Sequence, residues 1–187
     1  MSQRAPQALG PCLALVLALA ALPCVGHALE PEEAPATPLQ VGVVEDVPLP
    51  PASRVRGVRL NLLSGRTEDV AGVDLLGLAS RTRGDETGFQ TALYSEVGGH
   101  LRGVQLSLLA SETDGRADGI QLSLASNHAT DLRGAQIALF VNGARRARGL
   151  QLGLVNWADD LDGVQIGLVN VQRQGWIPFL PFFNLGW

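Results

Sequence analysis

Residues 149–170 read GLQLGLVNWADDLDGVQIGLVN, in which one eight-residue phrase, Gly-aliphatic-Gln-aliphatic-Gly-Leu-Val-Asn, occurs twice. Looser copies fill the chain upstream, with leading glycines at Gly57, Gly72, Gly88, Gly103, Gly119, Gly134, Gly149 and Gly163. Successive glycines lie 15, 16, 15, 16, 15, 15 and 14 residues apart. That period accommodates one strand and a polar connector and leaves no room for a helix.

The slot after each glycine holds Val58, Val73, Phe89, Val104, Ile120, Ala135, Leu150 and Val164. Two places further on stand Leu60, Leu75, Thr91, Leu106, Leu122, Ile137, Leu152 and Ile166. Between them is a glutamine slot, Gln90, Gln105, Gln121, Gln136, Gln151 and Gln165, filled by Arg59 and Asp74 in the first two copies. Small residues follow at Ala92, Ser107, Ser123, Ala138, Gly153 and Gly167. Period-two alternation predicts a strand with one buried face. The aliphatics are expected inside, and the Gln and small-residue face is expected outside as a flat surface poor in charge.

Equal strands at equal spacing suit two architectures. One is an all-β solenoid of about eight rungs of 14–16 residues with a C-terminal Pro/Phe cap. The other is a small outer-membrane β-barrel of eight or nine strands. Uniform phrasing favours parallel stacking, because an up-and-down barrel would send alternate glycines to opposite ends. Membrane barrels also alternate short turns with long loops and carry aromatic girdles, whereas the connectors here are nearly constant and the chain has one Tyr. The slot before each glycine reads Arg56, Ala71, Thr87, Arg102, Asp118, Arg133, Arg148 and Asp162, so stacking is expected to set Asp118 between Arg102 and Arg133. Pro178 and Pro181 fall where a ninth copy would stand and suit a cap. In favour of the barrel, Phe183, Leu185 and the final Trp187 have the alternation of an aromatic-terminated last strand.

Residues 1–28 read as a secretory signal, with Arg4 ahead of the apolar run Leu13–Leu22 and small residues at Gly26-His27-Ala28. Cleavage after Ala28 would remove Cys12 and Cys24, both cysteines of the chain, unless Leu22-Pro23-Cys24 directs lipidation of Cys24. Residues 29–56 form a Pro- and acid-rich spacer in which Gln40–Val44 is a candidate cap strand. The repeat domain spans 57–174 and the cap 175–187. All 14 basic residues are Arg, and the net charge of -4 argues against nucleic acid as a partner.

Motifs for chemistry are weak throughout. His100 and His128 are the only histidines after the leader, and a metal site would need carboxylates such as Asp114 or Asp131 beside them. Acidic connectors (Glu68-Asp69, Asp85-Glu86, Glu112-Asp114-Asp118, Asp159-Asp160-Asp162) match neither an EF-hand loop nor the calcium nonapeptide repeat, and read as solvated turns. Arg145-Arg146-Ala147-Arg148 reads as a solvated loop ahead of a phosphate site. No serine stands in a GxSxG context, and the glycines, a whole repeat apart, form no phosphate loop. Catalytic, metal and cofactor residues are therefore expected to be none.

The doubled phrase at 149–156 and 163–170, the opening VRGVRLNLL at 55–63 and the ending GWIPFLPFFN at 175–184 resemble the bacterial surface repeat-containing proteins, a spirochaete-type group of envelope proteins. The resemblance covers residues 38–187, and repeats two to five depart from it by Ser or Ala where that family has Gly and Asn. It implies an exported envelope protein at the outer membrane or cell surface, and brings no catalytic residues. The expectation is a non-enzymatic structural or interaction module with an envelope component or surface ligand as partner. A membrane barrel is the alternative, and a solenoid polysaccharide-active enzyme is the least supported.

Overall fold

In the computed structural model the equal spacing of the glycines becomes vertical registration. The structure describes residues 36–43, 48–75, 77–175 and 177–187. The segment read as a secretory signal, 1–28, lies outside the described residues. Among the described residues twelve strands form one sheet: β1 (Ala36–Gly42), β2 (Pro48–Leu49), β3 (Arg54–Asn61), β4 (Ser64–Thr67), β5 (Asp69–Leu75), β6 (Ala79–Thr82), β7 (Glu86–Val97), β8 (Leu101–Ser123), β9 (Ser126–Ala138), β10 (Val141–Leu152), β11 (Val155–Gln172) and β12 (Phe179–Gly186). Repeats pair in parallel, with Gly57 opposite Gly72, Gly72 opposite Gly88, Gly119 opposite Gly134, and Gly149 between Gly134 and Gly163. The path runs β12-β11-β10-β9-β8-β7-β5-β3-β1-β2 and does not close. This is a β-solenoid, and the barrel alternative is excluded.

The alternation is present and its polarity is reversed. In the turn 134–148, Gln136, Ala138, Asn142, Ala144 and Ala147 are buried, while Leu139 and Phe140 are 56% and 51% exposed. The glutamine slot is wholly enclosed, at 0% for Gln90, Gln105, Gln121, Gln136, Gln151 and Gln165. The aliphatics flanking it face out, with Ile120 43% and Leu122 38% exposed. Period-two patterning shows which residues share a face and is silent on which face is enclosed. An amide carries two donors and an acceptor with two lone pairs, and a stack of identical turns supplies partners for them.

The apolar part of the interior is made by two columns on the connector side. The residue two before each glycine is Val55, Val70, Leu101, Ala117, Leu132, Ala147 and Leu161, all buried, with Glu86 as the one departure. Beside it run Val97, Thr113, Ala129, Ala144 and Ala158. A turn of about 15 residues at roughly 3.3 Å each encloses a narrow space, which explains why alanine recurs.

Both ends are finished by antiparallel strands. β1 pairs in parallel with β3, putting Gln40 opposite Arg59, so the spacer contributes a further rung, and β2 covers part of its outer edge. At the other end β12 runs antiparallel to β11. Pro181 sits at the irregularity between Gly167 and Asn170, where its missing N–H is tolerated. Asn184, 1% exposed, lies opposite Gln165 and closes the glutamine column.

Candidate interaction surface

Two side-chain ladders fill the polar half of the interior. Each glutamine Nε2 donates to Oε1 of the glutamine one rung toward the N-terminus: Gln105 to Gln90 at 2.8 Å, Gln121 to Gln105 at 2.9 Å, and Gln136 to Gln121, Gln151 to Gln136 and Gln165 to Gln151 at 2.8 Å. A second donation to a backbone carbonyl, such as Gly143 from Gln136 at 3.1 Å or Val171 from Gln165 at 3.2 Å, fixes the amide's orientation. The asparagines run the other way. Asn127 Nδ2 donates to Asn142 at 3.0 Å, Asn142 to Asn156 at 2.9 Å and Asn156 to Asn170 at 2.8 Å, each rung toward the C-terminus. Their orientation is set by the carbonyls of Ile137, Leu152 and Ile166. The polar repeat residues are thus spent on one another.

In the first rungs the glutamine column becomes ionic. Arg59 and Asp74, both fully buried, form a salt bridge in which Arg59 Nε donates to Asp74 at 2.9 Å. Ser80 also donates to Asp74, and Asn61 does so at 3.3 Å. Glu86, standing in the apolar column, accepts from Thr82 at 2.6 Å and from Gln90 at 2.9 Å, and its Oε1 has no partner. Burial pushes the Glu86 carboxyl up to about 7; the Asp74 charge adds to the rise, while the Thr82 hydroxyl and the Arg59 guanidinium oppose it. A raised folded-state value means that the native protein holds the proton more tightly than the unfolded chain. The contribution to stability is full below about 4.5 and is lost as pH rises to about 7. The loss expected from wild type over that window is about 3 kcal/mol. Glu86→Gln should remove this component of the pH dependence, which urea unfolding at pH 5 and pH 8 measures. An unchanged difference between the two pH values would contradict the assignment.

The sequence candidates sit in structural roles. His100 Nδ1 accepts from the Arg116 amide at 2.9 Å, and the Asp85 and Asp69 carboxylates accept from the His100 and Asp85 amides at 2.8 and 2.9 Å. Successive connectors therefore cap one another. His128 packs against Trp157, ring centroids 5.7 Å apart. Asp131 pairs with Arg146 and Asp159 with Arg173, while Arg145 borders a cleft with Trp157. Asp114 lies apart, in a cleft with Arg66, Arg81 and Arg83. Among the described residues no three metal-ligating side chains come together. The charged slot before each glycine stacks as expected, Asp118 opposite Arg133 and Arg148 opposite Asp162. Within the chain, however, these side chains form none of the ion pairs found among the described residues, which use Asp69, Asp74, Glu96, Asp131 and Asp159.

With the amides inside, the distinctive surface is the aliphatic wall. Its first column runs Leu39, Val58, Val73, Phe89, Val104, Ile120, Ala135, Leu150, Val164 and Leu185. Its second includes Val41, Leu60, Leu106, Leu122, Ile137, Leu152, Ile166 and Phe183. Ten rungs contribute, β8 supplying two of them, and neither column contains a charged residue. Along one edge, leucines at the bend form an open groove of about 610 Å³ lined by Leu62, Leu78, Leu93, Leu108 and Leu124. Contiguous exposed apolar patches larger than a few hundred Å² are rare on monomeric soluble proteins. The sequence had shown these residues as one set, and only the enclosure of the glutamines reveals that the set is exposed.

These features define a repeat protein of the β-solenoid class, with about eight turns. No protein-family model, curated protein or solved structure matches the chain.

Proposed function

We propose that this chain is an exported, non-enzymatic repeat protein that serves as a structural or interaction module of a bacterial cell envelope, working through the aliphatic wall. The observation carrying the reading is that wall: a ten-rung apolar face on a fold whose polar repeat residues are consumed internally. The leader-like segment 1–28 and the resemblance to bacterial surface repeat-containing proteins support export. The ionisable groups support a structural role, since the carboxylates of Asp69, Asp85, Asp131 and Asp159 are held by backbone amides or arginines and Glu86 is enclosed. Cell fractionation tests the address. The expected result is a mature chain lacking residues 1–28, recovered with the envelope. Recovery of the full-length chain in the cytoplasm would refute the proposal.

A further inference from the structure

Taking the aliphatic wall as the working surface, as proposed above, we infer that its partner is a second copy of this chain. The two copies meet face to face about a two-fold axis parallel to the strands, midway between the rungs of Gly103 and Gly119. Three observations lead there. The first is area. Ten rungs about 4.8 Å apart, each presenting about five residues at roughly 3.3 Å, make a wall of about 700 Å². Two such walls bury about 1,400 Å² together, within the range of a stable specific interface.

The second is charge along the border of the wall. This axis preserves strand direction and reverses stacking order, so the first repeat faces the eighth and the fourth faces the fifth. The border slot, in chain order Arg56, Ala71, Thr87, Arg102, Asp118, Arg133, Arg148, Asp162, then pairs with its own reverse. Arg56 meets Asp162 and Arg102 meets Asp118, each twice by symmetry. Ala71 meets Arg148, Thr87 meets Arg133, and no like charges face each other. Among the described residues these side chains form none of the ion pairs, which leaves them for the partner.

The third is shape. The same reversal sets the bulkiest member of the first column, Phe89, against its smallest, Ala135, and places Leu106 against Leu122 beside the axis. Aligned sheets pack about 10 Å apart by interdigitating such side chains. An isologous contact of this kind closes on itself and leaves no wall free for further association.

Sedimentation velocity on the purified chain at micromolar concentration tests this directly. The wild type is expected to be a dimer. Leu122→Glu is expected to give a monomer with an unchanged circular dichroism spectrum, since Leu122 already faces solvent in the single chain. Arg102→Asp and Asp118→Arg should each weaken the dimer roughly ten-fold by setting like charges together. The double variant Arg102→Asp/Asp118→Arg should regain most of the loss. Ala135→Phe should weaken it too, and adding Phe89→Ala should restore it. A monomeric wild type, a dimer indifferent to Leu122→Glu, or charge swaps that fail to rescue would each overturn the inference. So would a monomer that floats with phosphatidylglycerol vesicles, which would assign the wall to a lipid surface. A cytoplasmic chain that dimerises in this way would defeat the envelope reading alone, and a monomer in the envelope would defeat this one alone.

Discussion

Gly119→Ala is expected to destabilise the chain by about 4 kcal/mol or more. Gly119 has φ +147°, where an L side chain is strained, and a Cβ there would collide with the Gly103 carbonyl oxygen of the rung below. The obstacle is backbone, so no rotamer change relieves it. Relief would require parting two rungs, which breaks the parallel ladder and the adjoining Gln121–Gln105 bond together. Urea unfolding of Gly119→Ala beside Ser126→Ala, a neutral change on the same turns, checks this. A difference below about 1 kcal/mol would mean that the rungs have more slack than the packing implies.

Arg59→Leu carries the other large effect, about 3–5 kcal/mol, because it leaves Asp74 charged and enclosed without its cation. Glu86, close enough to feel the Asp74 charge, would be pushed further up by the same change. The informative companion is Arg59→Gln/Asp74→Gln. Both positions belong to the glutamine column, opposite Gln40 on one side and Gln90 on the other. The double variant should continue the amide ladder through them and recover most of the stability lost in Arg59→Leu. If thermal unfolding places the double variant as low as the single one, the ion pair is doing something an amide pair cannot.

The repeat period and the parallel registration were legible because eight glycines at near-equal spacing leave few alternatives. The direction of the faces was not. Alternation is symmetric under exchange of inside and outside, and hydrophobicity alone pointed the wrong way. The cue that could have turned it was the substitution pattern of the glutamine slot. Arg59 and Asp74 occupy adjacent rungs at that one slot, and opposite charges replacing two neighbouring amides signal positions that must satisfy each other out of water. The dense acids of the connectors were readable as turns, yet their use as amide caps depends on rung-to-rung offsets that no single repeat contains. Glu86 was grouped with those acids, while its alignment with Val55, Val70 and Leu101 two places before the glycine marked it as interior.

The opposed directions of the two ladders have an electrostatic consequence. Each amide carries a dipole, about 3.5 D for the comparable peptide unit, and hydrogen-bonded chains of them polarise one another. From Asn127 onward the glutamine and asparagine chains point in opposite senses, so their fields largely cancel. The doubled phrase at 149–170 contributes one Gln and one Asn per copy, and turns of that composition can be added without building up a potential along the axis. Below Asn127 the second chain gives way to Ser111, Ser95 and Ser80, and the glutamine chain continues alone to Gln90. Its positive end is therefore uncompensated there, directed at Glu86 and, through Ser80, at Asp74. That positive end offsets part of the cost that burial imposes on negative charge at the acids of the early rungs.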